Sequence, residues 1–256
     1  MRYFKGYVSI SDERDVPVLL HIRNARALSF HQLCDLLILD EVEKLRRVVN
    51  WRVTRLQMHG LIQRFKQDRF RGQPIFAITP LGLRVLESRG HYLLSLPSTA
   101  ERIIHVNQIP HAMELVEIRL ALSKQGILRS WQSELEIASR NLVLESRSAK
   151  DYDAVAEILI DHEVHSFGIE YERTAKAAAR YQEIRETLGR DRTVDVVLYL
   201  TSDRNILYLL AIEMGGVAKR IGIALSESFR QDVLDANTLL VAEGSEVVPF
   251  RALFNA

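Results

Sequence analysis

The chain has a single cysteine, Cys34, among 256 residues, so no disulfide can form within it, and its eight histidines show no Cys/His spacing of a zinc site. Long apolar runs are also missing. No stretch of 18 apolar residues occurs, which excludes a membrane-spanning helix and argues against a membrane partner. The opening Met1-Arg2-Tyr3-Phe4-Lys5-Gly6 has no signal-peptide core. A cytoplasmic location is therefore expected, in keeping with a lone thiol on the apolar side of a helix that reads as a small buried hydrophobe.

Net charge is also nearly absent, at +1 for the whole chain, but that balance hides a segregation. Residues 1–90 hold 16 Lys and Arg against 9 Asp and Glu, and the chain totals of 34 and 33 leave 18 against 24 for the remainder. A net of +7 is thus followed by a net of −6. A basic face neutralises phosphate, which makes affinity salt-dependent without encoding sequence.

The basic part has an ordered set of elements. Ser29 is a good helix N-cap, and Leu33, Leu36, Leu37 and Leu39 follow near helical spacing. The pattern restarts after Asp40, with Val42, Leu45, Val48, Val49, Val53 and Leu56 on one stripe and Lys44, Arg46, Arg47, Asn50, Arg52 and Arg55 around the rest. His59-Gly60 stops this second helix, glycine supplying the left-handed cap. Leu61–Phe65 and Pro74–Ile78 read as short strands joined by a basic loop containing Lys66, Arg69 and Arg71. Thr79-Pro80 then opens a further helix that closes near Gly90.

Helix, basic helix, basic hairpin and capped helix in this order predict a winged helix-turn-helix over 1–90 that binds double-stranded DNA. The expected contacts are Lys44, Arg46, Arg47, Asn50, Arg52, Arg55, Lys66, Arg69 and Arg71. Arg46, Arg47, Asn50 and Arg55 are the candidates for base readout. Trp51 is expected in the core, with base-stacking as the alternative.

Residues 91–110 are too apolar, at Tyr92-Leu93-Leu94 and Ile103-Ile104, for a free linker and are expected to pack as a connector. Residues 111–256 read as a second domain of alternating helix and strand: a helix over Ala112–Lys124, an extended segment over Ile127–Ala138, strands Asp153–Ile160 and Ser166–Arg173 around a polar turn at Asp161-His162-Glu163, a helix Ala175–Leu188 capped by Thr174, and a buried strand Thr193–Thr201. Beyond it, helices are expected over Arg204–Met214 and Val217–Phe229 and a strand over Leu239–Ala242. The fold class is α+β, with an α/β sandwich around a mixed sheet in the second half.

Alternation places Glu170 and Glu172 on one face of their strand, opposite Phe167, Ile169 and Tyr171. A two-residue loop between the strands would set Asp153 across from Glu170 or Glu172, with Cβ atoms roughly 5 Å apart. Carboxylates gathered this way either repel or hold a hard cation such as Mg²⁺.

An Asp at the head of one strand and an acidic residue on the next resembles the PD-(D/E)xK nuclease pattern. The runs Lys150-Asp151-Tyr152-Asp153-Ala154 and Gly168-Ile169-Glu170-Tyr171-Glu172-Arg173-Thr174, followed by Lys176 and Arg180-Tyr181, resemble the replication-relaxation family of bacterial plasmids and other mobile elements. That resemblance implies a winged helix followed by a nuclease-like domain. It gives Asp153 and Glu170 the metal-binding and catalytic positions. Glu172 stands where an active nuclease has Lys, and Tyr152 where it has Pro, while Lys176 is placed to reach back as a substitute.

A carboxylate cannot supply the positive charge of the missing Lys. The expectation is a nuclease-like domain without catalysis, serving dimerisation or partner binding. DNA binding then needs no cofactor, and Mg²⁺ is implied only if Asp153, Glu170, Glu172 and Lys176 form an active site. Three functions follow: a homodimeric DNA-binding protein of a plasmid or mobile element acting in regulation, replication or mobilisation; a Mg²⁺-dependent endonuclease targeted by its winged helix; or an adaptor that recruits a replication, transposition or conjugation protein.

Overall fold

The coordinates are a computed structural model that describes residues 9–65, 72–100, 103–144, 150–241 and 246–255. The protein is mixed α+β and divides into two units, Met1–Val116 and Glu117–Ala256. None of its helices, among the described residues, is long and apolar enough to cross a membrane.

The first unit begins with α1 (Asp15–Asn24), which buries Val16, Val18, Leu19 and Ile22. A two-residue strand, β1 (Leu28–Ser29), leads into α2 (Phe30–Leu39). Ser29 caps α2 reciprocally: its hydroxyl accepts from the Gln32 N–H at 3.2 Å, and Gln32 Oε1 accepts from the Ser29 N–H at 2.9 Å. The Gln32 amide then donates to the Met113 carbonyl at 2.8 Å, so one side chain serves both the cap and a long-range tie.

The second helix, α3, spans Arg46–Met58 and starts later than the apolar periodicity suggests. Val42 and Glu43 donate their N–H groups to the Leu37 carbonyl and close α2, while Glu41 takes a positive φ of 57°. Leu45 is extended and exposed. Glu43 is turned inward by Arg52 rather than entering the helix. Gly60, at φ 71°, ends the helix as expected.

Strands β2 (Ile62–Phe65) and β3 (Ile75–Ile78) pair antiparallel, Ile62 opposite Ile78 and Phe65 opposite Ile75, and β1 adds to the other side of β3. Thr79 caps α4 (Pro80–Glu87) by accepting from the Gly82 N–H at 3.1 Å. Ile104, Ile109 and Ala112 pack with Ala27, Ile75 and Ala77.

Helix α5 (Ile109–Lys124) runs through the boundary between the units. Among its described residues the second unit then builds one sheet of seven strands: β4 (Leu128–Ser133), β5 (Ala154–Ile160), β6 (Glu163–Glu172), β7 (Val196–Thr201), β8 (Arg220–Leu225), β9 (Asn237–Val241) and β10 (Glu246–Pro249). Their spatial order is β10-β9-β8-β7-β6-β5-β4, with β6, β7 and β8 parallel and every other pair antiparallel. The parallel strands carry the buried Val196–Thr201 run and Ile221, Ile223 and Ala224, as strands covered on both faces do.

Three expected elements change. The extended stretch from Ile127 stops at Ser133, because Ser133 and Glu136 form a capping pair, N–H to Oε2 at 2.9 Å and Oγ to Oε2 at 2.7 Å, that starts α6 (Glu134–Val143). Helix α7 covers Ala178–Arg190 with Ala177, not Thr174, at its N-cap. The helix expected over Val217–Phe229 is instead β8 followed by α9 (Ser226–Asp232), since Ile221–Ala224 is a two-sided core strand. Helix α8 (Arg204–Glu213) lies where expected.

The first unit is pinned by a buried ion network. Asp15, at 0% exposure, accepts from the Ser11 N–H at 2.9 Å, from Arg52 Nη1 at 2.8 Å and from Arg55 Nη2. Arg52 also donates Nε to Glu43 at 3.1 Å. Burial pushes the Asp15 carboxyl up, but hydrogen bonds from Arg55, Ser11 and Arg52 outweigh it and hold the group below the usual carboxylate range. A depressed folded value means that the stabilisation is complete above the unfolded value near 3.8 and is lost as pH falls through the folded one. Asp15→Asn is expected to cost about 3–5 kcal/mol, as breaking a buried pair does, read as a lower urea midpoint. The wild type should also lose more stability than the variant on acidification below about pH 4; parallel acid profiles would contradict the role given to this carboxylate.

Candidate functional site

Two groups of residues merit a functional reading, one in each unit. The first is the outward side of α3. Arg46, Arg47 and Asn50 are exposed there, joined by Thr54 and Gln57, and Lys44 is exposed just before the helix. Arg46 leans over the Phe30 ring of α2, 6.0 Å from its centre, which restrains a long side chain near the helix start.

Two expected DNA contacts depart from that surface. Arg52 is 4% exposed, its guanidinium consumed by Asp15 and Glu43, which corrects its expectation as a DNA contact. Arg55 is half-buried, bound to Asp15 and to the Ser9 carbonyl at 3.1 Å. Trp51 reverses its expectation as well: it is 47% exposed instead of lying in the core. Lys66, Arg69 and Arg71 lie outside the described residues. Cys34 is fully buried, and burial raises its thiol to about 11.

The second group gathers where β5 enters the sheet. Asp161 and His162 form a two-residue turn, both at positive φ, that joins β5 to β6 and pairs Ile160 with Glu163. Such turns match the twist of antiparallel strands and lock the register. Ala154 therefore faces Ile169, and Asp153, one residue earlier, is next in register to Glu170 rather than Glu172. On the other side of β6, Glu170 faces Tyr199 of β7.

Each acidic side chain here has a partner. Asp153 Oδ2 accepts the Tyr171 N–H at 2.8 Å. Glu170, 9% exposed, accepts from Lys150 Nζ at 2.5 Å, and Glu172, 5% exposed, accepts from Lys176 Nζ. Lys176 precedes α7 instead of lying within it, and reaches back to Glu172 of β6. Burial raises the Glu170 carboxyl; Lys150 opposes that shift and Asp153 adds to it. Burial lowers Lys176, against the pull of Glu170 and Asp153.

The residues around this cluster explain its shape. The Tyr152 ring lies on Gly168, where a Cβ would come within 2.7 Å of it, and Lys150 Nζ sits 4.9 Å from the ring centre. Its hydroxyl donates to Asp191 Oδ2 at 2.8 Å. Asp191, fully buried, also receives Thr193 Oγ1 at 2.8 Å and lies 3.2 Å from Lys219 Nζ. Burial would raise Asp191, but hydrogen bonds from Thr193, Tyr152, the Lys150 N–H and Lys219 hold it low. Tyr199 is fully buried with no hydrogen-bond partner for its hydroxyl among the described residues, and burial beside Glu170 raises it.

The structure thus brings together Asp153 and Glu170, and separately Glu172 and Lys176. Lys150, Tyr152, Asp191 and Tyr199 complete the cluster without having been assigned roles from the sequence. Lys150 was legible as the nearest cation before Asp153; Tyr199 and Asp191 come from distant segments, with no local signal. Two ammonium groups and a backbone N–H each take up one oxygen of the carboxylates that would ligate a divalent ion. No group of three or more His, Cys, Asp or Glu among the described residues is arranged to hold a metal.

Lys150→Met, which leaves Glu170 buried without its cation, is expected to cost about 3–5 kcal/mol, and Lys150→Met with Glu170→Leu to recover most of that. Urea unfolding of the four-member cycle measures it. Additive losses would show that the two side chains do not act as a pair.

The family model described as replication-relaxation covers residues 19–193, from within α1 to the segment before β7. No curated protein and no solved structure matches the chain.

Proposed function

The chain belongs to the replication-relaxation family, and from that premise we propose that it is a double-stranded DNA-binding protein of a plasmid or other mobile element, acting in replication, relaxation or mobilisation. Its first unit is a winged helix-turn-helix with α3 as recognition helix. Its second unit is a PD-(D/E)xK-like scaffold that cuts nothing and serves dimerisation.

The observation that carries this reading is the exposed row Lys44, Arg46, Arg47 and Asn50 at the start of α3. Recognition helices contact base edges through their N-terminal residues, with arginine suited to guanine and asparagine to adenine. The antiparallel β2–β3 hairpin follows directly, at the place of a wing. Internal pairing of Glu170 with Lys150 and Glu172 with Lys176 supports a scaffold in place of a metal-dependent cleavage site. A homodimer would present two copies of α3 to a two-fold-symmetric sequence.

Arg46→Ala with Arg47→Ala should weaken a salt-dependent mobility shift by about tenfold or more while leaving the urea midpoint in place, since both side chains are exposed. A shift containing two chains per duplex is the expected stoichiometry. Unchanged affinity in the double variant would remove α3 from the interface.

The endonuclease reading keeps one supporting observation, the register that sets Asp153 beside Glu170. Supercoiled plasmid incubated with the protein and Mg²⁺ or Mn²⁺ is expected to stay intact. Cleavage that disappears in Asp153→Ala and Glu170→Ala would restore that reading and end the scaffold one.

A further inference from the structure

We infer that Thr54 reads thymine, its methyl group meeting the C5 methyl of a thymine in the major groove one or two base pairs from the base that Asn50 contacts. This rests on the reading of α3 as recognition helix and deepens it by assigning a base to a further residue. Arg47, Asn50 and Thr54 are all exposed, at the i, i+3, i+7 spacing of one helix face.

The three side chains differ in what they have left to offer. Among the described residues, the Arg47 guanidinium and the Asn50 carboxamide take part in no hydrogen bond or ion pair, so their polar atoms are open to a base edge. Thr54 is already committed. Its Oγ1 donates to the Asn50 carbonyl, one turn back, at 2.8 Å. A carbonyl only accepts, so the hydroxyl hydrogen is spent on the helix backbone and none remains for guanine O6 or N7, adenine N7 or thymine O4. The oxygen is drawn back against the helix, which leaves the Cγ2 methyl as the group for outward contact.

Thymine matches that methyl, because among the major-groove base edges it alone carries an apolar group. Met58, 59% exposed, stands one turn beyond Thr54 and continues the apolar end of the helix. Polar readout at Arg47 and Asn50 thus passes into apolar contact further along. Threonine is also a poor helix former, and its bond to the i−4 carbonyl destabilises a helix slightly. At an exposed site little packing offsets that, whereas a contact made on binding does. Four residues span about 6 Å along a helix axis, and base pairs rise about 3.4 Å each, which sets the interval of one or two steps.

The full chain is used to select sites from a random duplex library, and the enriched duplex is remade with deoxyuridine for thymine at one position at a time, removing a single methyl. One such change, one or two base pairs from the position where Asn50→Ala relaxes the selection, should weaken binding by about fourfold, the value of one apolar carbon taken from water. Thr54→Ser keeps the hydroxyl without the methyl and should bind both duplexes alike; Thr54→Val keeps a methyl without the hydroxyl and should still prefer thymine. Neither exposed change should move the urea midpoint. Deoxyuridine tolerated at every position, the wild-type preference persisting in Thr54→Ser, or salt-dependent binding that enriches no site would each overturn the inference while leaving the DNA-binding reading in place. A library from which no duplex is retained would remove that reading itself, and the inference with it.

Discussion

Two guanidiniums from one helix meet on the carboxylate of Asp15, and the presentation of α3 depends on that meeting. Burying one carboxylate and two arginines is costly in itself, and such networks are seldom the cheapest way to stabilise a core. What this one supplies is direction. Arg52 and Arg55 fix the rotation of α3 about its own axis, since Val49, Val53 and Leu56 would tolerate a small slip but hydrogen bonds at 2.8–3.1 Å would not. Arg46, Arg47, Asn50 and Trp51 consequently face outward as a set.

The second unit uses a comparable device at a different place. Asp191, at the end of α7, collects the Tyr152 hydroxyl, Thr193 and Lys219, and so ties the entry of β5 to the segment before β7. Lys150 and Lys176 then balance Glu170 and Glu172 one to one. Within this cluster each of these carboxylates is thus matched by a cation from its own unit.

Much of this was legible in the sequence where local chemistry decides. Ser29, Gly60 and Thr79-Pro80 end or begin helices for reasons contained in a few residues, and all three act as expected. The two-residue turn at Asp161-His162 fixed the strand register in the same way. Periodicity misled where burial is two-sided, as at Ile221–Ala224, where an apolar run cannot distinguish a core strand from a helix. It misled again at Arg52 and Trp51, because which side of a basic helix faces inward was set by Asp15, 37 residues from Arg52. Helix α1, which contributes that carboxylate, has Pro17 in its first turn and arginines at both flanks, and offers little pattern to read.

The contact between Tyr152 and Gly168 has a consequence for how this chain can change over time. A side chain at 168 requires a smaller residue at 152. That replacement removes the hydroxyl from Asp191, which would then hold a buried negative charge with one donor fewer. Position 168 therefore acts on position 191 through Tyr152: a glycine that touches no carboxylate helps decide how many donors a buried one receives.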